Sequence, residues 1–408
     1  MSNHKTWRPA AILTVAATAL ALVGCAADQS APGGDADGTA PFEVLALAPL
    51  SGALSGFGSA VQSGYSAAVD VVNNDGGIDG RQVVVEWVDT TSSPSEAVAR
   101  LQSELSSGDK PDLVLPSVVS SETVALLPVL TQNEVLSVGT VAASSTTDPA
   151  NWPYHFNTAV WAWDAIGALV THLVDEGYEK VAVALPDSEL GHDKWEAFEA
   201  YADEAGLETV HEFVDPASVD PTAELTRLQS ESGVEALVLA AALGPVGGAL
   251  LSAHEKLNWD VPVVMDDATS TNDYSSFGAD ALAGVTFSSA RYGVEADPLR
   301  ESAPYRTFWD ALVQHETAFE QGPDTYVYPY SSLILAKAGF ESTDSNELDD
   351  IAAAIWAVEP DSTEFWMMND GLRLHTENHS IVMEPSSILF FPAGPRTEQG
   401  LFVPGGTE

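Results

Sequence analysis

From residue 42 onward the chain alternates short apolar runs with segments whose apolar residues recur every three or four positions. Phe42 to Ala48 is an apolar run of strand length, and the Gly- and Ser-rich stretch Pro49 to Gly58 reads as a loop. Val61, Tyr65, Ala68, Val69 and Val72 then fall at helical spacing, and Asn73-Asn74-Asp75-Gly76-Gly77 closes that helix. Gln82 to Asp89 is a second strand, so the unit is β-loop-α-β with parallel strands. The same rhythm predicts a helix over Glu96 to Leu105 capped by Ser95, strands at Asp112 to Leu115 and Val135 to Val138, and a helix from Glu122. A second copy follows. It has helices over Trp163 to Glu176, Trp195 to Ala205, Thr222 to Ser230 and Gly247 to Leu257. Its strands are Lys180 to Leu185, Glu208 to Phe213, Ala236 to Ala241 and Val261 to Met265, with a loop over Pro186 to Asp193. Beyond Gly284 the pattern loosens to a strand at Val285 to Ser289, helices at Ala303 to Glu316, Tyr330 to Phe340 and Leu348 to Val358, and a last strand at Ile388 to Phe391. Strand–helix alternation through both halves defines an α/β protein built from two doubly wound parallel-sheet lobes.

The first 41 residues do not share this rhythm. Lys5 and Arg8 precede an apolar run, Ala10 to Gly24, of about fifteen residues, too short to span a bilayer comfortably. Leu22-Val23-Gly24-Cys25 resembles a bacterial lipobox, which implies a signal peptide over 1–25 and a lipid on Cys25, the one cysteine of the chain. With no second cysteine there is no disulfide, so stability rests on core burial. Residues 26–41, rich in Ala, Gly, Asp and Pro, read as a flexible tether.

Charge narrows the function. Sixty acidic residues stand against 15 basic ones, a net charge of −45, which repels nucleic acid and anionic lipid heads and excludes nucleic-acid binding. Enzyme motifs are missing: Gly56-Phe57-Gly58-Ser59 is no nucleophile elbow, and Gly52 to Gly58 lacks dinucleotide spacing. His375 and His379 stand four apart but without a metal-binding motif around them, and no metal or cofactor is expected. His192-Asp193 reads as surface loop.

Several stretches resemble one family. Ala48-Pro49-Leu50-Ser51-Gly52, Gly64, Asn73 to Arg81 and Asp89-Thr90 are similar to the opening of the type I periplasmic binding proteins, in the leucine/isoleucine/valine branch of ABC importers. Ser120-Ser121 with Val135 to Val138, then Tyr154 to Thr158, Lys180 to Gly191 and Tyr326 to Tyr330, extend the likeness over roughly residues 42–340. The resemblance implies a clamshell of two lobes joined by three crossovers, 42–158 plus 290–380 and 159–289 plus 381–408. It implies a non-enzymatic, likewise extracytoplasmic monomer that delivers a small solute to an ABC permease. A sensor of the same fold, coupled to a signalling partner, is the other reading. The family's positions fall on Ser120 and Ser121 for a ligand carboxylate, with Ala143 and Ser144 in the next loop. Asp267, with Asp266 beside it, would take an ammonium. Phe57, Leu190 and Tyr326, with Tyr328, would wall the pocket. The chain departs from the pattern at Leu190, where relatives carry an aromatic, at Ala241 to Gly244, at Asn157-Thr158 and at Phe365 to Gly371. The solute expected is therefore a branched-chain or other amino acid or, given these departures, another small amide, urea-like or aromatic compound.

Overall fold

The computed structural model describes residues 40–108, 110–358 and 373–404. Cys25, the signal segment and Phe365 to Gly371 lie outside the described residues. The chain opens with β1 (Phe42–Ala48), α1 (Ser55–Asn74), β2 (Val83–Asp89), α2 (Pro94–Ser107), β3 (Leu113–Leu115), α3 (Ser120–Gln132), β4 (Ser137–Gly139) and β5 (His155–Val160). It continues through α4 (Ala162–Asp175), β6 (Lys180–Pro186), α5 (Glu189–Ala205), β7 (Glu208–Val214), α6 (Thr222–Ser230), β8 (Ala236–Leu239), α7 (Pro245–Leu257), β9 (Val263–Met265), α8 (Asp267–Ser270), α9 (Ala279–Leu282) and β10 (Val285–Ala290). It ends with α10 (Ala303–Leu312), α11 (Asp324–Glu341), α12 (Leu348–Trp356), β11 (Ser380–Ile381) and β12 (Ile388–Pro392).

The strands form two six-stranded sheets, in the orders β11-β5-β4-β3-β1-β2 and β12-β10-β9-β8-β6-β7. All pairings are parallel except β10 with β12. The chain passes from the first sheet to the second after β5, returns after β10, and crosses again between β11 and β12. The sheets repeat one plan: β1 lies between β3 and β2, as β6 lies between β8 and β7. Each sheet is sandwiched between helices, because its strands are apolar on both faces. Tyr65, Phe156 and Tyr330 fill one side of the first sheet and Leu101, Leu126 and Leu127 the other; Phe287 and Leu250 flank the second sheet opposite Phe198 and Leu173. Burying each such side chain contributes roughly 1.5–3 kcal/mol.

Several helices start earlier than their sequence pattern predicts, and glycine is the reason. Gly56 and Gly58 suggest a loop, yet α1 begins at Ser55. A Cβ on Gly58 would sit 2.2 Å from the Pro49 carbonyl oxygen, so the glycine lets the helix start against the end of its strand. Gly191 repeats the device in α5, where a Cβ would meet the Pro186 carbonyl oxygen at 1.9 Å. The predicted loop Pro186 to Asp193 is therefore mostly helix. Ser93, rather than Ser95, caps α2, with Pro94 in its first turn. Pro329 sits inside α11 rather than ahead of it, so Tyr326 and Tyr328 belong to the helix.

Candidate functional site

In doubly wound sheets ligands sit beyond the carboxyl ends of the strands, where the strand order reverses. Here that places the loops after β1 and β3 on one lobe opposite those after β6, β8 and β9 on the other.

On the first lobe, Ser120 and Ser121 open α3. The N-cap is Val119, and neither serine hydroxyl makes a hydrogen bond among the described residues, so capping does not explain them. The first backbone N–H groups of such a helix have no partner within it and present partial positive charge. Glu122, one residue on, is fully buried; among the described residues neither carboxyl oxygen has a partner within hydrogen-bonding geometry, and burial raises its pKa against the neighbouring Ser117 and Thr90 hydroxyls. Phe57, in the first turn of α1, is half-buried and belongs to none of the hydrophobic core clusters. Ala143 is buried, and its carbonyl accepts from Thr146. Ser144 is already engaged: its backbone N–H donates to Asp193 Oδ2 at 2.8 Å, and its hydroxyl accepts from Trp161 Nε1 at 2.8 Å. Asp193 belongs to α5, so this contact ties the lobes together. Burial raises the Asp193 pKa against the hydrogen bonds from Ser144.

The second lobe holds a denser array. Lys194 of α5 is fully buried and donates to Asp266 Oδ2 at 2.6 Å and Asp267 Oδ1 at 2.7 Å. Burial opposes its charge, but the two carboxylates outweigh that and hold its pKa above the ordinary lysine value. Asp266 is otherwise consumed by the fold: it accepts from Ala241 N and caps α8 through Thr269 N. Asp267 is 9 % exposed, and among the described residues Lys194 is its one side-chain hydrogen-bond partner. The carboxylate expected to take a ligand ammonium is thus already paired, through one oxygen, with an intrachain ammonium. Leu190, one turn before Lys194, packs with Ala162, Ala241 and Ala142, a small apolar patch that joins the lobes.

Tyr326 does not wall this crevice. It is buried in the first lobe's core, its ring against Phe319 and its backbone against Gly64 of α1. Tyr328 faces the polar groups instead; burial first, then the charges of Asp324 and Asp267, lifts its hydroxyl well above the phenol range. Asp324, the first residue of α11, is 4 % exposed and accepts from the Tyr292 hydroxyl. Burial pushes its pKa up to about 7; the Tyr292 hydrogen bond lowers it and Asp267, on the opposite lobe, raises it. Arg396 donates to the Ser270 and Asn272 carbonyls at 2.8 and 2.7 Å and fastens the end of α8.

Sequence reasoning passed over Lys194 and Asp324. Lys194 had a signal, since it stands four residues after Leu190 and four before Phe198, on the apolar stripe of its helix. Asp324 had none: its partner Tyr292 is 32 residues away. His375 and His379 are not on a helix; His375 pairs with Asp164 at 3.0 Å and His379 stacks on Phe156. His192 is exposed and pairs with Asp187 at 2.7 Å.

The two doubly wound lobes thus gather polar groups where the carboxyl edges of their sheets meet. The chain belongs to the periplasmic binding protein family, whose model matches residues 41–383. It is 26% identical over 304 residues to the Leu/Ile/Val-binding protein BraC3 of Rhizobium johnstonii, covering 74% of this chain and 79% of that one. A periplasmic binding protein type 1 from Bordetella pertussis superposes with a TM-score of 0.76 at 17% identity, covering 90% of this chain and 98% of that one. A solute-binding protein of an ABC transporter from Rhodopseudomonas palustris, in complex with 3,4-dihydroxybenzoic acid, gives 0.72 at 20% identity, with 89% and 95% covered. The chain is thus a substrate-binding protein by family. No helix among the described residues is long and apolar enough to cross a membrane.

Proposed function

We propose that this chain is the solute-capture lipoprotein of an ABC importer: anchored through lipid on Cys25, it encloses one small carboxylate-bearing solute between its lobes and presents it to a permease. The observation that carries this reading is the pair of unspent serines at the N-terminus of α3, on the lobe facing the Lys194–Asp267 centre. A helix N-terminus with free N–H groups and hydroxyls suits a carboxylate. The named ligands of the relatives, leucine-type amino acids and 3,4-dihydroxybenzoic acid, share a carboxylate and little else. The apolar patch of Leu190 and its alanine neighbours, with Phe57, supplies the wall for the solute's body.

The test is a thermal-shift screen of the mature chain against amino acids, hydroxybenzoates and uncharged amides. A ligand at a hundred times its dissociation constant stabilises the native state by about 2.7 kcal/mol, enough to move the midpoint clearly. Carboxylates are expected to shift it. A shift with amides alone, or none at all, overturns the reading. Cys25→Ser is expected to move the protein from the membrane fraction to the soluble one; unchanged fractionation overturns the anchor.

A further inference from the structure

The second lobe carries a cavity that solute capture does not use. It has a volume of about 1240 Å³ and runs along the flank of the lobe, between the α8–α9 segment and the C-terminal segment 392–397. It starts at the amino ends of β9 and β10, at Pro262 and Gly284, whereas the crevice lies beyond the carboxyl ends of the strands. Ser120, Ser121, Lys194, Asp267 and Asp324 are not among the residues that line it. Its floor is aromatic: the ring centroids of Phe277 and Phe287 lie 5.8 and 5.5 Å from that of Tyr274. The Tyr274 hydroxyl is spent on the fold, donating to the Thr269 carbonyl at 3.0 Å. Leu282 of α9 and Phe319, from the segment before α11, add apolar walls. A Cβ on Gly400 would sit 2.8 Å from Phe319 Cβ, so the hairpin that carries Arg396 is pressed against that wall.

Among the described residues Arg396 is the one cation that lines this cavity. Its guanidinium donates from Nη1 and Nη2 to the backbone carbonyls of Glu320, Ser270 and Asn272, while Nε–H makes no hydrogen bond and no carboxylate among the described residues forms an ion pair with it. Burial pulls its pKa down to about 10, against the charge of Asp273, and leaves it a cation at neutral pH. A buried cation without a counter-ion is costly, and an anion from outside offsets that cost. The acidic residues of the lining, Asp273 and Glu320, are solvent-exposed, where water and salt screen them.

We infer that this flank cavity is a second ligand site, which takes an amphipathic monocarboxylate with its acid group at Arg396 and its hydrocarbon body over Tyr274, Phe277 and Phe287. An uncharged apolar ligand would leave the guanidinium without a counter-ion. A polyanion would meet Asp273, Glu320 and the chain's net charge of −45. One acid group on an apolar body suits both the cation and the floor.

Isothermal titration calorimetry of the mature chain tests this, with hexanoate, octanoate and decanoate as probes and octanol as the uncharged counterpart. Octanoate is expected to bind one-to-one and at least tenfold more tightly than octanol. Affinity is expected to rise about two- to fourfold with each added methylene, as transfer of a CH₂ group out of water requires. Leu282→Asp, which sets a carboxylate in the cavity wall, is expected to weaken octanoate binding at least tenfold. Ser120→Ala combined with Ser121→Ala is expected to leave it within about twofold. No binding of octanoate overturns the inference, as does equal affinity for octanol or unchanged affinity in a folded Leu282→Asp. Loss of octanoate binding in the serine variant places the acid in the crevice and overturns it too. If Leu282→Asp does not fold, the octanol comparison and the serine variant decide.

Discussion

The two lobes are built alike and equipped differently. Each has a central strand flanked by the same neighbours, and each starts its first crossover helix on a glycine pressed against a backbone carbonyl, Gly58 in one and Gly191 in the other. The faces they turn to the crevice diverge. On the second lobe the polar groups are spent on one another: Lys194 on Asp266 and Asp267, and Asp266 on Ala241 and Thr269. On the first lobe Ser120 and Ser121 make no side-chain hydrogen bond among the described residues. A satisfied array belongs to the fold, and unspent donors are available to a ligand. Stability should therefore respond to changes on the second lobe, and affinity to changes on the first.

Lys194→Met offers the hardest test of that division. It leaves Asp266 and Asp267 buried without their cation, and breaking a buried pair in this way costs about 3–5 kcal/mol, read from urea unfolding. A loss below about 1 kcal/mol would show that the array is not part of the fold. Gly191→Ala and Gly58→Ala sharpen the architectural half of the comparison. Each forces a methyl onto a carbonyl oxygen and should cost about 1–3 kcal/mol, with similar values on the two lobes. Asp324→Asn probes a buried carboxyl of the first lobe that has no cation of its own. Its folded pKa of about 7 lies above the ordinary value, so its contribution is present below about pH 4 and lost as pH rises toward 7. The unliganded variant should therefore gain on the parent between pH 5 and pH 8, by roughly 2.5 kcal/mol at about 1.4 kcal/mol per pKa unit. The smallest stability effect belongs to Ser120→Ala combined with Ser121→Ala. It should change unfolding by less than about 0.5 kcal/mol while weakening solute binding about 5- to 30-fold, as loss of one or two hydrogen bonds does.

Much of the fold was open to reading from periodicity. The strands of both sheets and most helices follow from apolar runs alternating with helical spacing, because sheets covered on both faces keep nearly continuous apolar strands. What misled was glycine and proline. Gly56, Gly58 and Gly191 look like loop residues but serve close approaches, and Pro329 looks like a boundary inside a helix. The price of that misreading was Lys194: placing α5 too late hid a charged residue on an apolar stripe. Ser120, Ser121 and Asp267 are singled out by their likeness to a family's positions. That Asp267 is already paired, and that Asp324 meets Tyr292, depends on chain segments brought together from far apart, which no local pattern encodes.

The chain passes between the two sheets at three places, after β5, after β10 and between β11 and β12. A door on a single strap can twist about any axis, whereas one hung on three straps turns only about the line they share. The same threading means that a protease nick at one crossing frees neither half, since two uncut links remain. Three links thereby restrict how one lobe could turn against the other, and each lobe's folding is bound to residues that lie beyond the other in sequence.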